Sequence, residues 1–513
     1  MEVKQVVVVG VIKRAMKYFF QLLFGLSLIT SGFSQTPEPY KKKVLESTEI
    51  QSLFSYYAQQ GIHGAVGGGL GSEELVNTTP TIVVTVPLNE DVVLTVDSGI
   101  STYTSASSSN INPFMSVGVL GTQAKTNSTA EGGLSRPQTW AASGASSSNN
   151  TGSNLVTMPI GTPWFASSGA SRKDALKHIS ASISESSDDR NTIKSAELYA
   201  STEYDYQSFG FGAGWARLFN EKNTEISLKA KVYLDQWYPI YPTELHEYGL
   251  YGTEFLNRGY FNGVNVLNQN GQTTSAYLPN QFTEWENSNR SSGTLSLSFS
   301  QILSRRIQVS LSTDVVYQTG LLSTPYHRIY FKDRPNYYIG DASFIDVYDT
   351  TKNFGVFRLA DDIERLPESR VKIPIGGRLN MYVNDWLTLR SFYRYYFDDW
   401  GIHAQTASLE MPIKLSMNWT VYPSFRYYEQ SAAQYFKPFG EHLSTQQFYT
   451  SDYDLSSFTS SQLGFGISYK DIFTNIKAFG FGLKNVDFRF QHYYRSDGLE
   501  SIIYGIGVKF VSF

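Results

Sequence analysis

The most regular feature of this chain is an alternation of apolar and polar residues with a period of two. From Leu387 to Asp398, one set of alternate positions reads Leu, Leu, Ser, Tyr, Tyr, Phe, and the other reads Thr, Arg, Phe, Arg, Tyr, Asp. The same alternation begins again at Ile226, Ile307 and Val486. Successive side chains of a β-strand point to opposite faces, so each stretch predicts a strand with one apolar and one charged face.

Full charges in the middle of these stretches indicate which face meets lipid. Arg390 and Arg394 lie on the polar face of one predicted strand. An arginine on the lipid face costs about 2–4 kcal/mol near the bilayer midplane, so this pair disfavours the inverted register by about 4–8 kcal/mol. The pattern therefore predicts strands whose apolar faces meet lipid and whose charged faces line a polar lumen.

The connections between the predicted strands are alternately short and long. Tight turns, such as 188–191 and 220–223, are rich in Asp and Asn. The long segments lie near 106–170, 238–291, 322–369 and 435–454. Short periplasmic turns and long extracellular loops are typical of outer-membrane barrels. The first long segment, rich in Ser, Gly, Asn and Thr, is expected to be a flexible loop, with an ordered lid or lumen plug as the alternative.

We therefore predict an all-β fold, a transmembrane antiparallel up-and-down β-barrel with long extracellular loops. It should have about sixteen strands, within a range of about fourteen to eighteen. The sequence of the first predicted strand also fits a short helix. The predicted strands are 48–60, 79–88, 92–105, 173–187, 193–205, 207–219, 224–237, 292–303, 306–321, 370–383, 386–399, 403–415, 418–434, 455–470, 484–495 and 500–513.

The N-terminus has the features of a secretory signal peptide. Basic residues precede an apolar run over 18–30, which is shorter than the roughly 20 residues that a spanning helix needs. Small residues up to Ser34 suit cleavage after that position, and Met16 is a more typical start than Met1. A membrane anchor is the alternative. The predicted organisation is a signal peptide over 1–34, a periplasmic segment over 35–47 and an outer-membrane barrel over 48–513.

The chain ends on an amphipathic stretch. Tyr504, Ile506, Val508 and Phe510 share one face, and Phe513 is out of step with them. We expect either a bulge before Phe513 or a ring at the membrane interface. A terminal aromatic residue on an amphipathic strand is the usual signal for the barrel-assembly machinery, so Phe513 is the predicted insertion signal.

Composition excludes several other classes of protein. Charged residues make up 17% of the chain, below the roughly 25% of an average soluble protein, and aromatic residues reach 15%. Apolar residues, at 41%, leave no surplus for a helical membrane protein. A net charge of -4 argues against nucleic-acid binding. The absence of cysteine excludes disulfides, thiolate metal sites, cysteine nucleophiles and a lipoprotein anchor.

Candidate catalytic chemistry is sparse. The seven histidines show no metal-binding spacing, so we predict no metal, no cofactor and no catalytic residue. Adjacent acidic residues occur at Asp188–Asp189, Asp361–Asp362 and Asp398–Asp399. Neighbours on a strand point to opposite faces, so these pairs are expected to be solvated turn or rim charges. A barrel-wall hydrolase is a weaker alternative, because serines are abundant and histidines occur near strand ends.

Several short motifs, mostly aromatic and acidic, stand out along the chain. They are YRYYFDDWGI (393–402), FRYYEQSAAQYF (425–436), SGASRKDA (168–175), STEYDYQSFGFGAG (201–214), LPESR (366–370) and FYTSDYDLSSF (448–458). These motifs resemble a known family, the outer-membrane barrels of domain-of-unknown-function family 3570, found mainly in Bacteroidota and some proteobacteria. The resemblance covers most of the mature chain and implies an outer-membrane barrel without an assigned reaction. Family members are often encoded near thioredoxin-like proteins, a small lipoprotein and a flavin transferase, which implies envelope redox or metal handling.

Charges of both signs on the predicted inner face leave two interpretations. Sixteen strands leave room for a water-filled channel, which predicts a pore or transporter-like protein of unknown substrate in the cell outer membrane. Alternatively, the barrel is plugged and acts as a scaffold for periplasmic or lipoprotein partners in envelope redox or metal handling. We favour the pore. The predicted lumen-lining residues are Lys372, Arg378, Arg390, Arg394, Lys414, Arg426, Arg489, Glu197, Glu203, Asp235, Asp314, Asp398, Glu410 and Asp487.

Overall fold

The computed structural model describes residues 43–105, 174–279, 282–348, 356–478 and 480–512. The predicted signal peptide, most of the predicted periplasmic segment, the whole first long segment (106–170) and Phe513 lie outside these residues. Within them, long antiparallel strands form one sheet whose first strand pairs with its last. The sheet is therefore a closed barrel, and the predicted fold class is confirmed, including the number of sixteen strands.

Each strand pairs with the next along the chain, in an up-and-down order. A short piece, Ile413–Lys414, continues β12, and another, Lys477–Ala478, pairs with the start of β15. The strands are β1 (Glu49–Gln60), β2 (Leu75–Pro87), β3 (Val92–Ser105), β4 (Asp174–Ser186), β5 (Thr192–Thr202), β6 (Tyr206–Phe219), β7 (Thr224–Trp237), β8 (Asn289–Ser304), β9 (Ile307–Gly320), β10 (Ser369–Asn384), β11 (Leu387–Asp398), β12 (His403–Glu410), β13 (Trp419–Gln430), β14 (Phe458–Lys470), β15 (Phe481–Arg495) and β16 (Glu500–Ser512).

Strand β1 closes the barrel. Leu53, near its middle, lies opposite Thr81 of β2 on one side and Gly507 of β16 on the other. The predicted strand that also fitted a short helix is therefore a full strand. Pairing on both edges removes the exposed edges that an open sheet would present, as a membrane-spanning sheet requires.

The boundaries differ from the predicted ones where the local backbone leaves the ladder. Strand β5 ends at Thr202, and the Glu203 amide donates to the Tyr206 carbonyl at 2.7 Å in a tight turn. Glu203 is thus a turn residue that directly follows β5, whereas the predicted strand continues to residue 205. Strand β12 breaks at Pro412, because proline has no N–H for the ladder.

Large apolar side chains cover the outer face of the sheet. Leu311 and Val315 of β9, and Tyr393 and Tyr395 of β11, are exposed members of this belt. On the opposite face of β6, small residues make room for their neighbours. A Cβ atom on Gly210 would lie 2.5 Å from the Tyr233 ring of β7.

The loops after β7, β9 and β13 fold together at one end of the barrel. We call these loops the cap; it consists of residues 238–279, 282–288, 321–348, 356–368 and 431–457. The end of the barrel that carries the cap is the capped end, and the opposite end is the turn end. The cap contains helix α1 (Thr243–Tyr251) and a three-stranded sheet of Val266–Asn268, Tyr337–Gly340 and Val356–Arg358. Across the described part of the chain, no helix combines the length and apolar character needed to cross a bilayer.

The cap has a hydrophobic core of its own. Leu245, Phe261, Phe331, Ile339 and Tyr449 are all completely buried within it. Burying a large apolar side chain contributes about 1.5–3 kcal/mol, so a core of this kind stabilises a defined loop structure. These loops therefore supply the folded bulk that an ordered lid requires.

Candidate functional site: a charged lumen closed by a folded cap

The ladder register places the predicted lumen residues that lie in strands on one face. Residues directly opposite on adjacent strands share a face. One such row runs from Glu197 through Lys231 and Lys372 to Asp398. The predicted residues on this face are Lys372, Arg378, Arg390, Arg394, Lys414, Arg426, Arg489, Glu197, Asp235, Asp314, Asp398, Glu410 and Asp487.

An ion-pair cluster identifies this face as the concave one. Glu410 of β12 accepts from Arg489 of β15 at 2.7 Å and from Arg390 of β11 at 2.9 Å. Strands β12 and β15 are separated by β13 and β14, which corresponds to about 14 Å along the wall. Side chains reach across such a span only on the inside of the curve. The charged face therefore lines the lumen.

Other lumen charges are paired along the wall. Lys231 contacts Glu197 at 2.7 Å, and Arg290 contacts Asp235 at 2.8 Å. The Nε atom of Arg370 donates to Asp398 at 3.0 Å. Arg290 and Arg370 are not in the predicted set. They lie at the capped ends of their strands, at or just before the first residue of the predicted strands 292–303 and 370–383.

Several predicted residues are not brought into such pairs. Within the described residues, Arg394, Arg426, Lys414, Asp314 and Asp487 form no ion pair. The guanidinium of Arg378 lies 5.7 Å from the centre of the Phe392 ring. The lumen therefore has charged side chains of both signs that are not neutralised by an ion pair within the described residues and that can contact water or a solute.

Exposure of the lumen charges changes with depth. Arg390 is 49% exposed, whereas Asp398 on the same strand is buried at the capped end. Arg489 is 44% exposed and Arg495, further along its strand, is 5% exposed. A cavity of about 510 Å³ opens beside Arg489 and Asp487, next to the small residues Gly505 and Gly507. The lumen charges towards the turn end are thus accessible to water, whereas those at the capped end are covered.

The cap is held on the barrel by polar contacts at the capped end. The Arg495 guanidinium donates to the Tyr453 carbonyl at 2.9 Å and also contacts Asp454. Gln430, the last residue of β13, donates to the carbonyls of Asp454 and Ser456 at 3.0 and 2.6 Å. The strand wall and the loop after β13 are therefore joined directly at the rim.

A buried ion pair lies in the middle of the cap. Arg328 and Glu244 are fully buried, and two guanidinium nitrogens donate to the two carboxylate oxygens at 2.7 and 3.3 Å. A third nitrogen donates to the Val66 carbonyl at 3.4 Å, and the guanidinium lies 5.2 Å from the centre of the Phe357 ring. Arg328 thus joins three separate loops.

The acidic pair Asp361–Asp362 is part of the same interior. Asp361 accepts from the Phe331 amide at 2.8 Å, and Asp362 contacts Arg365 at 3.1 Å and accepts from the Tyr449 hydroxyl. Burial raises the pKa of Asp361 to about 6. The prediction that this pair is a solvated turn is wrong, because long-range packing buries both carboxyl groups.

A second cluster in the cap brings together His327, Glu364 and Asp452. One possible ligand atom of each lies within 4.8 Å of those of the others. Burial lowers the pKa of His327, but the adjacent Glu364 raises it by more, so the net shift is upward. Burial, reinforced by Asp454, raises the pKa of Asp452 to about 7. No spacing motif links these residues, because they come from three distant chain segments.

Glu203 gives a prediction of pH dependence. Burial and the neighbouring Asp205 raise its pKa from 4.5 to about 7. The folded state therefore holds this proton more tightly than the unfolded state, and stability falls as the pH rises from about 4.5 to 7. We expect Glu203→Gln to stabilise the barrel by about 1 kcal/mol at pH 8, after allowing for partial exposure, and to have little effect at pH 4. Chemical unfolding in detergent at both pH values measures this, with exposed Glu221→Gln as control. Equal stabilisation at the two pH values would contradict it.

These features define a class of protein, the closed antiparallel membrane-type β-barrel with a charged lumen and a folded cap. The chain belongs to the family described as "Protein of unknown function (DUF3570)", whose model matches residues 41–501. The family resemblance of the sequence motifs is thereby confirmed. No curated protein matches the chain.

Solved structures with similar folds are distant. A bacterial polysaccharide outer membrane secretin is 10% identical, with a TM-score of 0.39, covering 92% of this chain and 100% of its own. A BenF-like porin from Pseudomonas fluorescens is 8% identical, with a TM-score of 0.36, covering 91% and 99%. The siderophore receptor PirA from Pseudomonas aeruginosa is 8% identical, with a TM-score of 0.31, covering 92% and 62%. Likenesses this distant carry no argument about function.

Proposed function

We propose that this protein is an outer-membrane pore or transporter-like barrel whose path is closed at the capped end by its folded loops. The observation that carries the proposal is the change in exposure of the lumen charges along the barrel. Arg390, further from the cap, is exposed, whereas Asp398, at the capped end of the same strand, is buried. We propose no enzymatic reaction. The signal peptide over 1–34 and an origin in the Bacteroidota remain predictions from the sequence.

The outer belt supports a location in the outer membrane. Leu311, Val315 and Tyr393 on the outer face are exposed to the surroundings, whereas the charged face is enclosed. A barrel in lipid needs this arrangement, because apolar side chains are stable in contact with lipid and charged side chains on the lipid face destabilise the barrel. The chain would insert with the help of the barrel-assembly machinery and contact lipid along this belt.

The lumen chemistry suits polar solutes. Glu410 pairs with Arg390 and Arg489, while Asp314 and Arg426 elsewhere on the wall form no ion pair within the described residues. Opposite charges across a lumen create a transverse field, which orients polar molecules as they pass. A plugged scaffold would not need exposed charges at this depth.

Planar-bilayer recording tests the proposal. The chain has no cysteine, so a single introduced thiol can be modified without background reaction. Ser296 of β8 is on the lumen face and its neighbour Leu295 is on the lipid face. Because the cap covers one end of the path, we expect little current from the wild-type chain and more from a variant whose cap has been loosened. In that loosened background, a cationic thiol reagent should reduce the current of Ser296→Cys but not of Leu295→Cys.

The pore proposal is overturned if no current is recorded with the wild-type chain and none with a variant whose cap has been loosened. Equal effects of the reagent on the two cysteine variants would show that the current does not pass through the lumen.

A scaffold for periplasmic or lipoprotein partners is a second candidate, supported by apolar residues at the turn end. Met417 is 81% exposed and Phe473 is 76% exposed, and both lie in turns that follow strands running away from the cap. Co-purification from membranes tests this role. A partner retained by the wild-type chain and lost from Met417→Ser combined with Phe473→Ser would support it, and the same partner set with both would contradict it.

A further inference from the structure

The cluster of His327, Glu364 and Asp452 joins parts of the cap that are far apart in the sequence. His327 and Glu364 belong to the loop between β9 and β10, and Asp452 belongs to the loop between β13 and β14. The Nδ1 atom of His327 lies 3.5 Å from an oxygen of Glu364, and the possible ligand atoms of all three lie within 4.8 Å of one another. A single ion can therefore contact all three with small side-chain adjustments.

The cluster has two carboxyl groups and a single histidine as their counter-charge within the described residues. Glu364 is buried, and its ion-pair partner in the described residues is His327. The nearby arginines are engaged elsewhere, Arg328 with Glu244 and Arg495 with Asp454 and Asp497. Buried carboxylates are normally paired or bound to a metal, because an isolated buried charge is costly. A bound cation would supply the missing positive charge.

We propose that His327, Glu364 and Asp452 bind a divalent first-row transition-metal ion, with Zn²⁺ as the representative. One imidazole nitrogen and two carboxylates form a mixed nitrogen and oxygen set with three protein ligands, which leaves a position for water. Calcium and magnesium prefer oxygen ligands alone, so the histidine disfavours them. The inference does not depend on the proposed pore.

The surroundings of the cluster hold the ligands in place. One oxygen of Glu364 accepts from the Thr324 amide at 2.7 Å, and the other also accepts from the Thr450 hydroxyl. One oxygen of Asp452 accepts from the Asp454 amide at 2.9 Å, at the start of a short 3-10 helix, which leaves its second oxygen for an ion. Such outer contacts orient metal ligands and raise affinity.

Metal binding would lock the cap. The ion would tie the loop before β10 to the loop before β14, next to the rim contacts of Arg495. Binding to the folded state alone stabilises it by mass action. The thermal stability of the cap should therefore rise with Zn²⁺ concentration.

The test is a titration of the full-length chain in detergent, stripped with a chelator and then supplied with Zn²⁺, Co²⁺ or Ca²⁺. We expect about one Zn²⁺ per chain by elemental analysis, Co²⁺ absorption bands of a nitrogen and oxygen site, and no competition by Ca²⁺. Asp452→Asn keeps an acceptor at the start of the short helix and loses the charge. It should weaken Zn²⁺ binding about tenfold or more, as should His327→Gln.

The matched control is the exposed pair His246–Glu284, 3.2 Å apart on the cap surface. The double variant His246→Gln with Glu284→Gln should bind Zn²⁺ as the wild type does. If the wild-type chain binds no stoichiometric Zn²⁺, the site is overturned even if a cluster variant fails to fold. Binding that is unchanged in folded Asp452→Asn and His327→Gln overturns it equally. Conductance plays no part in these readouts, so failure of the pore proposal would be seen separately.

Discussion

Replacing Arg328 by methionine is expected to unfold the cap and to leave the barrel intact. The change removes one partner of a fully buried ion pair and leaves the Glu244 carboxylate without its cation. Breaking such a pair by removing one partner costs about 3–5 kcal/mol. The core around Leu245 packs on the same helix as Glu244, so the loss should spread through the cap.

Limited proteolysis and bilayer recording measure the two parts of this expectation. The cap loops of Arg328→Met should be cleaved rapidly while the barrel keeps its strand content, and the current should rise. The double variant Arg328→Met with Glu244→Gln should recover much of the protection, because no charge is then left buried alone. Lys332→Met, at an exposed site in the same loop, serves as control. A protease-resistant Arg328→Met would show that the pair does not hold the cap.

The second large effect is expected on the outer face of the barrel. Leu311, near the middle of β9, is 55% exposed there, and the next residue, Ser312, lies opposite Ser298 and Gly376 on the lumen face. Leu311→Arg should destabilise the barrel in lipid by about 2–4 kcal/mol, because the charge must enter the membrane. Ser312→Arg, the matched change one residue along, should cost little, because the lumen is water-accessible.

Equilibrium unfolding from lipid vesicles measures this difference. The order of the two variants is the critical result. A larger loss for Ser312→Arg than for Leu311→Arg would mean that the faces have been assigned the wrong way round, and the proposal of a charged, water-accessible lumen would fail with them.

The strand framework could be predicted from local patterns. Alternation with mid-strand charges in β7, β9, β11 and β15 depends only on neighbouring residues, and it placed sixteen strands within a few positions of those observed. The differences between predicted and observed strands lie at the strand ends. Glu203 follows β5 directly, but whether a chain turns there depends on a hydrogen bond to Tyr206, which alternation does not record.

The cap could not be predicted in the same way. Arg328, Asp361 and His327 lie in long segments without periodicity, and each acquires its environment from residues that are distant in the sequence. Asp361 and Asp362 have the appearance of a solvated acidic turn in the sequence, yet both are buried. Only the folded loops bring Phe331 and Tyr449 to them.

The class of fold and the charged face of the strands follow from local features of the sequence, because a two-residue period and the cost of charge in lipid depend only on neighbouring residues. The tertiary structure shows which lumen charges are covered at the capped end and which are exposed towards the turn end. It also decided that Arg328 meets Glu244 and that His327 meets Glu364 and Asp452. Contacts between distant loops depend on how the closed barrel places their ends, and no local pattern contains that information.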